Sequence, residues 1–78
     1  MISERLKRVI LRALELDEFD LQDATRASDV PGWDSLSHTR VILAVERDYG
    51  IRFKTMELLR LKNVGDMQAL VDSRTHAV

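Results

Sequence analysis

The 78-residue chain contains no cysteine. That excludes a disulfide framework and a thiolate metal centre, and it leaves the polypeptide without a reactive sulfur of its own. A reducing compartment is compatible with this composition. With one tryptophan, one tyrosine and two phenylalanines, it lacks a base-stacking surface. A formal net charge of -1 supplies no basic excess for general nucleic-acid binding. Apolar runs such as residues 41–45 are far too short to cross a bilayer. The N-terminal residues carry no apolar core and no small-residue cleavage site, so no secretory signal is expected and the cytoplasm is the default location. At this length the chain is expected to form a single domain over residues 1–78, with residues 75–78 frayed. A two-lobed catalytic scaffold and a dinucleotide-binding sheet do not fit. What remains, 45% hydrophobic and 32% charged, is a globular, helix-compatible mixture.

The small total charge conceals segregation. Residues 16–34 hold Asp17, Glu18, Asp20, Asp23, Asp29 and Asp34 against Arg26 alone, whereas residues 1–15 and 51–78 are each net basic. Such an acidic stretch keeps a long loop solvated and also sets a local field able to orient partners.

Apolar residues Ile2, Leu6, Val9, Ile10, Ala13 and Leu14 form one helical stripe, predicting a helix across residues 2–16 with Ser3 as its N-cap. Residues 17–34 lose that period. They predict a long loop pinned by Phe19 and Leu21 and closed by the turn Val30-Pro31-Gly32. The period returns at Leu36, Thr39, Ile42, Leu43, Val45, Glu46 and Tyr49, predicting a helix over 35–49 that exits through a left-handed Gly50. Ile51-Arg52-Phe53 reads as an extended connection. Thr55 is the expected cap of a short helix through residue 61, with Met56, Leu58, Leu59 and Leu61 inward. A last helix begins at Asn63 or Gly65 and turns Val64, Met67, Leu70 and Val71 inward. The expected fold is therefore all-α: four helices, a long first loop, a short third helix and no strand.

The informative segment is Gly32-Trp33-Asp34-Ser35-Leu36. A serine hydroxyl falls at the first turn of a strongly patterned helix, where amide N–H groups lack partners and the helix dipole favours an anion. Gly32 relieves crowding and Asp34 places a carboxylate beside the hydroxyl. This is a suitable place for a phosphodiester. Helix capping by Asp34 or Ser35 is the simpler alternative, since both residue types are common N-caps.

Together with Tyr49-Gly50-Ile51 and Val64-Gly65-Asp66 at these separations, Asp34-Ser35-Leu36 resembles the acyl carrier protein family across nearly the whole chain. The resemblance implies a four-helix carrier bundle that is not an enzyme. It implies that a phosphopantetheinyl transferase moves 4'-phosphopantetheine from coenzyme A onto Ser35. The arm's thiol then holds acyl or aminoacyl groups as thioesters for a loading ligase and downstream acyl-processing enzymes. It further implies a transferase and metal contact for Asp34, and a partner-binding face at Leu36, Ser37, His38 and Arg40. A cargo gap between the second and third helices would be lined by Ile42, Val45, Leu58, Leu61 and Met67; ordinary core is the other role open to those five.

Two features depart from members serving bulk fatty acid synthesis. Trp33 stands where a small residue is frequent, which makes its indole a candidate contact for the arm or a partner. The charges of the second helix cancel, so the acidic recognition face of those members is not reproduced and a dedicated partner set in a specialised pathway is expected. The alternatives are an unmodified helical interaction module, or a carrier for amino acid, peptide or polyketide intermediates.

Other chemistry is poorly supported. Ser35 and His38 lie three apart, but no Gly-x-Ser-x-Gly elbow or orienting acid accompanies them. Asp17, Asp20 and Asp23 lack the alternate spacing, central glycine and closing glutamate of a calcium loop, so no resident metal is expected. Arg5, Lys7, Arg8 and Arg12 read as a solvent-facing helix surface. No nucleic-acid partner and no membrane span are expected, and the chain is expected to be a monomer.

Overall fold

The computed structural model describes residues 2–75. The described residues form four α-helices and no strand: α1 (Glu4–Ala13), α2 (Ser35–Tyr49), α3 (Thr55–Leu59) and α4 (Val64–Thr75). One 3-10 turn, Ala27–Asp29, interrupts the long loop between α1 and α2. Thr75 closes α4 as a helical residue, its hydroxyl donating to the Val71 carbonyl at 2.9 Å. The rest of the expected frayed segment, His76 to Val78, lies outside the described residues.

α1 starts where the sequence places it, with the Ser3 hydroxyl accepting from the Leu6 N–H at 3.2 Å. It stops about one turn early. Glu15 adopts φ 58, and the Leu16 N–H folds back onto the Leu11 carbonyl at 2.9 Å while the Glu15 N–H reaches the Arg12 carbonyl at 3.1 Å. This pair of bonds is the Schellman arrangement, here formed without glycine. α2 ends in the same left-handed manner at Gly50, φ 65, with the Ile51 N–H on the Glu46 carbonyl at 3.0 Å.

The core forms between α1, α2 and α4: Leu6 and Ile10, Val41, Ile42 and Val45, then Val64, Met67 and Val71. Leu21, Val30 and Trp33 add the loop's contribution, and Phe19 packs against the cluster as the sequence predicts. α3 contributes no fully buried residue. Met56 and Leu59, expected inward, are exposed, as is Leu43 on α2. A five-residue helix is too short to declare a face by its own period, and α3 turns only Leu58 toward the core. The cap of α3 also differs from expectation. Lys54 is the cap, its N–H donating to the Glu57 carboxylate at 2.8 Å, and Thr55 is the first helical residue.

The long loop is fastened to α4. The Val64 N–H donates to the Thr25 carbonyl at 2.8 Å and the Gly65 N–H to the Asp23 carbonyl at 2.9 Å. Amides of a helix start, which have no partner within the helix, are thus satisfied by the loop. The Asn63 side chain accepts from the Asp66 N–H at 2.8 Å and completes that helix start.

Candidate functional site

The turn leading to α2 sets the site. The Trp33 N–H donates to the Val30 carbonyl at 3.2 Å across Pro31 and Gly32, and Gly32 has φ 79. Proline at the second position and a left-handed glycine at the third are the residues a type II turn requires. The chain leaves it extended through Asp34, φ -101 and ψ -172, and enters α2 at Ser35.

Asp34 is the N-cap. Its Oδ1 accepts from the Ser37 N–H at 2.8 Å, and its carbonyl accepts from the His38 N–H at 2.8 Å. The Ser37 amide bond, aided by the Ser37 side chain, holds the Asp34 carboxyl below its ordinary value. Asp34 is therefore an ionised, oriented carboxylate at the surface beside Ser35. Ser35 is exposed, and its hydroxyl makes no hydrogen bond to any described residue; only its carbonyl is engaged, by the Thr39 hydroxyl at 3.4 Å. Capping is thus the work of Asp34 and leaves the serine hydroxyl available.

The predicted partner face divides. Leu36 is 69% exposed and Arg40 is exposed with it, one helical turn apart. Leu43 and Arg47 continue the same side of α2 in alternation. Ser37 is half-buried, its N–H engaged by the Asp34 cap. His38 is also half-buried and turned toward Trp33, whose indole N–H donates to its Nδ1 at 3.1 Å. Trp33, expected as an outward contact, is only 8% exposed. Its position before the helix cap directs the ring into the core, where its N–H finds a partner.

The five cargo-lining candidates divide between the core and its edge. Ile42, Val45 and Met67 are core residues; Leu58 and Leu61 are half-buried at its edge. Leu61 and Met67 reach a cleft of about 40 Å³ that Trp33 and His38 also line. Among the described residues no group of three His, Cys, Asp or Glu could hold a metal ion, and no helix is long and apolar enough to cross a membrane.

Sequence reasoning missed three connections. The Trp33–His38 pair has a spacing of five that is not a helical neighbour distance. The Glu57–Arg74 ion pair joins α3 to α4, and Arg5 links α1 to α2 by bonding Asp48 at 2.6 Å while lying 4.2 Å from the Tyr49 ring centroid. The last two involve residues distant in sequence, and nothing local announces them.

A family model described as "Phosphopantetheine attachment site" matches residues 4–71. The fold is similar to the solution NMR structure of a holo acyl carrier protein from Geobacter metallireducens, with a TM-score of 0.88 and 38% identity, covering 94% of this chain and 84% of that one. The sequence is 27% identical over 75 residues to an acyl carrier protein of Clostridium acetobutylicum, spanning 96% of this chain and 97% of that one. It is 23% identical over 73 residues to one of Solidesulfovibrio magneticus, spanning 94% of each.

Proposed function

The chain belongs to the acyl carrier protein family, and from that premise we propose that it carries acyl or aminoacyl intermediates on a 4'-phosphopantetheine arm joined to Ser35, without catalysing a reaction itself. The observation that carries this reading is the Ser35 hydroxyl, solvent-exposed and free of hydrogen bonds to the described residues, at the first turn of α2. The residues present fit such a group. A phosphodiester on that oxygen meets the positive end of a 15-residue helix. When attached, the arm supplies the thiol on which cargo is held as a thioester, chemistry that a chain without cysteine does not possess.

Each neighbouring residue has a distinct task. Ser35 presents the oxygen to be modified. Asp34 fixes the start of α2 through Ser37 and offers its ionised carboxylate to the metal-bound coenzyme on a phosphopantetheinyl transferase. Leu36 and Arg40 form the docking face, supported by their exposure, for the transferase, a loading ligase and downstream acyl-processing enzymes. This side of α2, with Leu36, Arg40, Leu43 and Arg47 in alternation, carries no acidic residue in that row. Enzymes whose docking patches are basic would find no acidic partner in that row. That favours a specialised pathway over bulk fatty acid synthesis. The proposed setting is the cytoplasm, with the carrier acting as a monomer and without nucleic-acid or membrane partners.

The test is intact mass after incubation with coenzyme A, Mg²⁺ and a broad-specificity phosphopantetheinyl transferase. The parent is expected to gain one arm and Ser35→Ala none. A parent that stays bare would reduce the protein to an unmodified helical interaction module. Efficient use of the loaded protein by a generic fatty acid synthase, equal to that of its own carrier, would overturn the specialised assignment.

A further inference from the structure

Trp33 is the sole tryptophan of the chain and stands two residues before Ser35; His38 stands three residues after it. Their side chains meet: besides the 3.1 Å hydrogen bond, the ring centroids are 6.0 Å apart with planes inclined by 28°. The pair forms one wall of the cleft whose other side is built from Leu61, Val64 and Met67, at the entry to α4 and within it. The cleft measures about 40 Å³. That is room for water, and far below the roughly 150 Å³ that admits a benzene-sized guest.

The geometry points to Trp33 and His38 as the specificity-determining pair of this carrier: their hydrogen bond closes the cleft between α2 and the start of α4, keeping an apolar chain tethered at Ser35 outside the core. The inference rests on Ser35 being the attachment point. To enter, a guest must lift the indole from its packing against the core. It then replaces one buried apolar surface with another and gains little net burial. It also parts the indole N–H from its acceptor, a hydrogen bond that the guest's apolar chain cannot replace. A short or polar acyl group loses nothing by staying in water, so such cargo suits this carrier, and a partner enzyme meets it without first extracting it from the fold.

The full chain can be loaded with acetyl- or octanoyl-coenzyme A by a broad-specificity transferase and then treated with hydroxylamine, which converts the thioester to a hydroxamate and releases the arm's thiol. In the parent, the ratio of the two rates is expected to equal that of acetyl- and octanoyl-coenzyme A free in solution, with Trp33 emission the same in both forms. In His38→Ala the octanoyl thioester should slow roughly tenfold beyond that intrinsic ratio, the factor given by burying about two methylenes, and Trp33 emission should shift. His38→Gln, whose amide oxygen can accept the indole N–H, should restore the parent's behaviour. Trp33→Ala should match His38→Ala in the hydroxylamine rates; should it fail to fold, the two His38 variants decide. Protection of the octanoyl arm in the parent, or its absence in every variant that folds, overturns the inference. Failure of the parent to load overturns the Ser35 assignment instead.

Discussion

The Gly65 N–H donates to the Asp23 carbonyl at 2.9 Å, and a Cβ built on Gly65 would lie 2.8 Å from that same oxygen. The contact joins the acidic loop to the start of α4 and leaves no space for a side chain. Gly65→Ala would gain about 1 kcal/mol of helix propensity. It would also press a methyl group against backbone, which has no rotamer to yield. The expected net effect is destabilisation by about 1–3 kcal/mol in urea unfolding. An alanine variant as stable as the parent would show that the approach is looser than this geometry.

Glu15 ends α1 in a left-handed conformation that favours glycine. Replacing it relieves that strain while retaining both Schellman hydrogen bonds, which are made by backbone groups. Glu15→Gly should therefore raise stability by about 1 kcal/mol, seen as an increase in Tm. A decrease would mean that the Glu15 side chain contributes more than its backbone costs.

Asp34 titrates below its ordinary value because the Ser37 N–H bonds its carboxylate. Its charge therefore stabilises the fold above that ordinary value, and the contribution is lost as pH falls through the lowered one. Asp34→Asn keeps a capping oxygen and deletes the charge. The variant should melt below the parent at neutral pH, and the gap should close on acidification. A gap independent of pH would assign the effect to something other than the carboxylate's ionisation.

Glu57 is held below its ordinary value first by Arg74 and then by the Lys54 N–H. Arg74→Ala should move the Glu57 titration upward, read from its side-chain carbon shift by NMR. The stabilisation that depends on its charge would then be lost at a higher pH than in the parent. An unmoved titration would show that the Lys54 amide alone sets the value.

Ser35→Ala removes a hydroxyl bonded to no described residue. Stability should change by less than about 0.5 kcal/mol, while attachment of the arm is abolished. A large drop in Tm would give the hydroxyl a structural duty that its surroundings do not indicate.

The limits of α2 were legible because both ends carry local signals: an aspartate able to cap, and a glycine able to turn left-handed. The end of α1 was not, since Glu15 makes a glycine's turn without being glycine. α3 was misread because two of its leucines and a methionine suggest burial in any order, and five residues are too few to show which side faces inward. Ser35 and Asp34 were singled out as site candidates by their place at a helix start and by the family resemblance, and the structure places both at the exposed first turn of α2. The inward turn of Trp33 depended on an acceptor five residues away, which becomes apparent only once the helix start is in place.

Because Asp23 and Thr25 supply acceptors that the opening amides of α4 otherwise lack, docking of the first connection and capping of the last helix are linked. The amide protons of Val64 and Gly65 are then protected from solvent exchange only while a segment some forty residues earlier in the chain stays docked. Loosening near the acidic stretch would be read out at the opposite end of the sequence, alongside the cleft that Trp33 and His38 close.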